Sequence, residues 1–144
     1  MRIRNKNSKK VIFETIGAAL RGADLRGAAL RGADLRGADL MYANLVGVDL
    51  TDANFTDASL MCASLMGADL TDANLTDANL TDANLTDANL TDASLTDANL
   101  TDANLTGADL TRGSLFNCIM NQKVFKQITK EWFRWEIIEG DIND

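Results

Sequence analysis

Histidine and proline are absent from this chain, tyrosine occurs once and cysteine twice. Without His, the usual general-base and nucleophile-activating arrangements lose their central member, so catalysis of that type is excluded. Two cysteines do not make a disulfide framework, and reduced thiols are expected. Long apolar runs are also missing. The basic start, Met1 to Lys10, is followed only by Val11, Ile12, Phe13 and Ile16. These are too few for a signal peptide or a membrane span. The expected compartment is therefore the cytoplasm, with no membrane partner.

Ala, Leu, Asp and Thr fill the chain instead, a bias that directs attention to an internal repeat. Charge is distributed unevenly beneath the net value of −7. Residues 1–40 carry nine basic and four acidic side chains, residues 41–120 carry twelve acidic residues against Arg112 alone, and residues 121–144 balance to −1. Such a gradient shapes the choice of partners.

From Ala18 onward every fifth residue is apolar: Leu20, Leu25, Leu30 and so on to Leu115, with Phe55 as the one interruption and Met120 as the last of twenty-one. Two places before each stands Ala, except at Val48, Gly113 and Cys118. A period of five matches neither a helix nor a strand. It describes a chain that turns a corner every five residues and points the same two side chains inward each time. In Leu20-Arg21-Gly22-Ala23 the third residue is Gly, as it is at Gly27, Gly32, Gly37, Gly47, Gly67 and Gly107. A type II turn needs positive φ there, which Gly supplies without steric cost. Asp takes most of the other corners. It tolerates that region less well, so some of those corners are expected to use a different turn type.

Over Ala18–Met120 the chain resembles the pentapeptide-repeat family, whose unit is A(D/N)LXX. The resemblance implies an all-β fold: a right-handed quadrilateral parallel β-helix with four units to the coil, hence about five coils. At the usual strand spacing the tower is roughly 25 Å tall. Its interior is a column of Leu flanked by Ala, with no pocket for a substrate. Cys62 and Cys118 would lie nearly three coils apart, roughly 13 Å along the axis, beyond disulfide reach.

The expected organisation is a basic N-terminal segment over 1–17 whose apolar residues cover the first coil, the β-helix over 18–120, and a C-terminal capping helix and tail over 121–144. Val124, Phe125, Ile128, Trp132, Trp135 and Ile138 share one sector of a helical wheel, with Asn121 as N-cap and Gly140 as stop. Residues 122–138 are expected to be mainly helical, with Phe125, Ile128 and Trp132 resting on the Leu115–Met120 end. Phe133 and Ile137 face the other way, as covered or plainly exposed residues or as a homodimer contact, which some family members use.

Candidate surfaces follow from the corners. Arg21, Arg26, Arg31 and Arg36 should circle one coil as a basic belt, but Asp24, Asp34 and Asp39 stand beside them. A self-paired surface is preferred over a phosphate or nucleic-acid site. Asp72, Asp77, Asp82, Asp87, Asp92, Asp97 and Asp102 occupy successive corners, with Asp52 and Asp57 below. Those seven charges span about 8 Å of axis, a line density similar to that of duplex DNA. One carboxylate per corner offers no closed oxygen set for a metal, and no cofactor is expected. The Asn residues beside the Leu column are expected to bond between coils. The reading is a non-catalytic scaffold or protein-interaction module of unidentified partner. The alternative, implied by family members that imitate DNA, is a protein that binds a type II topoisomerase.

Overall fold

The structure is a computed structural model that describes residues 2–4, 11–14 and 20–132, with side-chain surroundings over 20–129. Strands β1 (Arg2–Arg4) and β2 (Val11–Glu14) pair antiparallel. From Leu20 the chain winds as a right-handed quadrilateral β-helix. Helix α1 (Gln122–Trp132) follows it.

Residues twenty apart pair in parallel, as in Asp24 with Asn44, Asn44 with Ser64, and Ser64 with Asn84. Each side contributes one bridging residue per coil, so no long strand forms. Burying a backbone leaves every N–H in need of a partner, and one unit shows how all five are placed. Asp72 N–H donates to the Thr91 carbonyl of the next coil (3.0 Å), and Leu75 N–H to that of Ser94 (2.7 Å). Asn74 N–H donates to Ala53 of the preceding coil (2.9 Å), and Ala73 N–H closes the corner on Leu70 (3.0 Å). The fifth donor, Thr76 N–H, has no carbonyl partner. It donates to the Asn74 side-chain oxygen at 3.0 Å.

That fifth bond explains why Asn or Asp precedes the central apolar residue. The side chain receives the N–H two residues on, an Asx turn, and often the Thr hydroxyl as well, as at Asn79 and Thr81 (2.7 Å). The expectation of bonds between coils is met only in part. Asn89 and Asn104 donate their amides to Thr71 and Thr86 of the preceding coil at 2.9 and 3.0 Å. The recurring Asn bond is local.

The corners correct the expectation of mixed turn types. All twenty third residues, from Gly22 to Asn117, have positive φ. The Asp corners lie at 56–59° and the Gly corners at 62–72°. The second residue of each turn is not in that region, which leaves type II among the common turns. Tyr42, Cys62 and Arg112 adopt the same conformation, at a cost of about 1 kcal/mol each for an L-residue. At Tyr42 and Cys62 ladder bonds hold the geometry, their N–H groups donating to Met61 and Thr81 of the next coil, while at Arg112 the Gly113 N–H closes the turn on Leu110.

Inside, the central residues from Leu20 to Leu110 are buried, and so are their Ala partners from Ala33 to Ala108. Leu115 and Met120 are only half-buried, contrary to expectation, because no further coil lies over them. Ala23 and Ala28 are half-buried at the other end. Phe55 is fully buried between Leu35 and Leu75, and Val48 is buried as well. Around Phe55 the bridges run unbroken, Asp34 to Asn54 to Asn74. Beside Val48 the pairing is one-sided: among the described residues, Asp49 bridges to Asp69 above and has no bridge to Ala29 below. The coil over residues 41–60 thus keeps all its bridges to the coil above and loses one to the coil below, at Asp49 beside Val48.

Replacing Asn74 by Ala should leave the Thr76 N–H without its partner and lower stability by about 1 kcal/mol in denaturant titration. Asn74→Asp keeps the acceptor and should be nearly neutral. Equal losses in the two variants would show that the side-chain oxygen is not what the position needs.

Candidate interaction surfaces

The four edges of the tower carry the outward corner residues in columns, one residue per coil. In one column Asp52, Asp72 and Asp92 stack beneath Arg112, whose Nε donates to Asp92 at 2.8 Å. Arg31 approaches Asp52 at 3.9 Å from the opposite end. A second column, Asp57, Asp77 and Asp97, ends on the Asn117 amide, which donates to Asp97. A third, Asp82 and Asp102, ends on Asn121, which donates at 2.7 Å. Asp87 stands between Gly67 and Gly107, and its carboxylate fills the space that a Cβ at 107 would need. The seven acidic corners singled out from the sequence are thus shared among all four edges. Three successive columns end on a hydrogen-bond donor.

The arginine belt is engaged with carboxylates. Arg26 and Arg36 each hold the Asp two residues earlier with two guanidinium bonds, 2.9 and 2.7 Å to Asp24 and 2.8 and 2.7 Å to Asp34. Arg21 reaches Asp39 at 3.4 Å and lies over the Tyr42 ring, and Arg31 stands 3.9 Å from both Asp49 and Asp52. The Arg26 side chain holds the Asp24 carboxyl down from 3.8 to about 2. Arg36 lowers Asp34 in the same way, and the Thr111 hydroxyl lowers Asp109. Both thiols are free; Cys118 donates to the Leu95 carbonyl at 2.7 Å, and burial raises its pKa.

At the C-terminal end Asn121 accepts the Val124 N–H at 3.1 Å, an N-cap for α1. Val124 and Ile128, one turn apart, enter the core cluster. The Gln127 side chain accepts the Leu105 N–H at 2.8 Å, replacing the carbonyl that a further coil would have offered. Phe125 does not rest on the last coil. It is 57 % exposed, because it lies about 100° around the helix from Val124. The expected contact of Trp132, the helix beyond it, the Phe133 and Ile137 pair, and the cover given by Val11, Ile12, Phe13 and Ile16 lie outside the described side chains.

The sequence profile of pentapeptide repeats (8 copies) matches residues 18–57, 49–87, 63–102 and 83–122, most of the chain. The chain belongs to the pentapeptide-repeat family. Among solved structures it is similar to a pentapeptide-repeat protein of the cyanobacterium Cyanothece 51142, at 40 % identity and TM-score 0.61, over 62 % of this chain and 60 % of that one. It spans less than two thirds of that relative's length. A pentapeptide-repeat protein of the Arabidopsis thaliana thylakoid lumen matches at 27 % identity and TM-score 0.52, over 83 % and 82 % of the two chains. One from Nostoc PCC 7120 matches at 33 % identity and TM-score 0.52, over 61 % and 84 %. No curated protein gives a significant match. Among the described residues no helix is long and apolar enough to cross a membrane.

Sequence reasoning followed the charged corners of this pentapeptide-repeat tower and passed over the uncharged ones. Units 41–47 and 61–67, Met-Tyr-Ala-Asn-Leu-Val-Gly and Met-Cys-Ala-Ser-Leu-Met-Gly, hold no charged residue. Tyr42 is 57 % and Met66 43 % exposed. The signal was available as a break in the Thr-Asp and Arg-Gly corner pattern, repeated at a separation of twenty.

The exposed Asp24–Arg26 pair gives a pH test. Its carboxyl binds a proton less readily folded than unfolded, so the stabilisation is complete above the ordinary value of 3.8 and is lost as pH falls through about 2. In a carboxyl NMR titration Arg26→Gln should move Asp24 upward toward 3.8. An unmoved titration would remove Arg26 as the cause.

Proposed function

We propose that this chain is a non-catalytic scaffold that presents its sides to a protein partner, with the cytoplasm as its place of action. The observation that carries the proposal is the filled interior. Every central side chain from Leu30 to Leu100 has no exposed surface, so the fold leaves nothing inside for a substrate. The outward polar groups repeat at fixed intervals and largely saturate one another, which suits a rigid surface more than converging catalytic groups. Neither a cofactor nor direct nucleic-acid binding belongs to this reading. The Arabidopsis relative is described as a thylakoid lumen protein, so fractionation of the native host is the check on compartment.

The acidic columns favour a second reading, a DNA mimic that binds a type II topoisomerase. Against it, no column holds more than three carboxylates in succession, and of the two that hold three, one meets arginine at both ends and the other ends on the Asn117 amide. A continuous phosphate-like track would need unbroken charge over the whole height. The expected result of a supercoiling assay is therefore no inhibition at micromolar protein. Inhibition that disappears when Asp72, Asp77 and Asp82 are changed to Asn would install the mimic instead.

The same proposal includes pairing of two copies through the C-terminal segment, with Phe133 and Ile137 at the contact. A change of both to Ser should convert a dimer to a monomer in sedimentation and leave the tower's circular dichroism unchanged. A wild-type monomer would remove dimerisation from the function.

A further inference from the structure

We propose that the side of the tower between the Tyr42–Cys62 edge and the Val46–Met66 edge docks an extended apolar segment of a protein partner that carries lysine or arginine beside its apolar residues. This inference rests on the scaffold reading and gives it a location.

The positions concerned are outward ones, so the core does not require their apolar character. In the next coil the same places are held by Thr81, Asp82 and Thr86. In these two coils they are Met41, Tyr42 and Val46, then Met61, Cys62 and Met66. The register stacks them directly: Tyr42 N–H donates to the Met61 carbonyl at 3.0 Å, and Gly47 N–H to that of Met66 at 3.0 Å. Three of the five methionines and the only tyrosine of the chain therefore gather on one side. Methionine and tyrosine are enriched at protein interfaces, where flexible thioethers repack against varied apolar partners.

The surrounding charge selects the partner. Asp82 and Asp87 stand at the same two edges one coil above, and Asp69 on the adjoining side. Among the described residues none of these three makes an ion pair. The arginines below are already engaged, Arg21 with Asp39 and Arg26 with Asp24. The available rim charge is negative, which calls for a cationic flank on the occupant. Size argues against a second folded copy. Two coils cover about 10 Å of axis, far from the roughly 800 Å² per partner of a standard interface, but enough for one extended segment.

The test uses the full chain with methyl-labelled methionine and two labelled octapeptides, one alternating Leu and Lys, the other Leu and Glu. The Leu–Lys peptide should shift the Met41, Met61 and Met66 methyls and the Tyr42 ring, leave Met120 unmoved, and bind at least tenfold tighter than the Leu–Glu peptide in fluorescence anisotropy. Met61→Thr with Met66→Thr restores the residues of the next coil, so the fold should survive, and affinity should fall at least tenfold. Asp82→Asn with Asp87→Asn should erase most of the difference between the peptides. Unchanged binding by the Thr variant, or equal binding of both peptides to the wild type, overturns the proposal. So does concentration-dependent dimerisation that the Thr variant abolishes, which would make the occupant a second copy. If photo-crosslinkers at the tower's corners capture the same native partner with wild type and Thr variant, this surface falls while the scaffold reading stands.

Discussion

This tower depends on the backbone N–H groups of each unit finding partners without a long strand. Two donate to the coil above, one to the coil below and one closes the corner, as Asp72, Leu75, Asn74 and Ala73 show. Where Asn or Asp precedes the central residue the remaining donor is received by its side chain, the Asn74 oxygen in that unit. Among the described units, those with Ser59, Ser64, Ser94 and Ser114 there lack that bond. This accounting ties the sequence unit to the fold more closely than hydrophobic burial does. Burial explains the Leu and the small residue before it. It does not explain the Asn or Asp between them, whose outer face meets solvent. An unmade backbone bond in a half-buried ladder costs as much as a sizeable apolar contact, so the acceptor is part of the scaffold.

The same ladder sets the chemistry of the edges. Because the corner N–H and the corner carbonyl neighbours are committed on both sides, the third turn residue is held at positive φ even when it is Tyr42 or Cys62. The edge positions are thereby freed from conformational choice by type and become places where almost any side chain can be displayed. Arginines low in the tower, carboxylates in its middle and an uncharged Met–Tyr–Cys stretch between them are displays on one invariant frame. The pairing of carboxylates with arginine and amide donors at the ends of the columns keeps stacked charge from accumulating over the full height.

The ends show what a repeat lacks. Leu105 loses its carbonyl partner because the chain leaves the coil, and Gln127 of α1 replaces it. Val124 and Ile128 extend the apolar column from the side, yet Leu115 and Met120 stay half-buried. A single helix cannot cover a square end evenly, and Phe125 falls to the flank.

The four-sided coil and its right hand came from the resemblance to the pentapeptide-repeat family. The interval of five, with Ala and Leu at their places, shows on its own a chain that turns at each unit and buries those two residues, since that pattern lies within neighbouring residues. The N-cap at Asn121 was legible for the same reason: its signal is local. What tertiary structure decided were the relations across coils. Asp corners share the Gly conformation because the neighbouring coils dictate it, which no propensity of Asp reveals. Phe55 fits without breaking its ladder, Asp34 to Asn54 to Asn74, because the interior width is set by the whole column. The gathering of Met41, Tyr42, Met61 and Met66 on one side exists only once residues twenty apart are stacked, because linear spacing places them in different units and only the coil makes them neighbours.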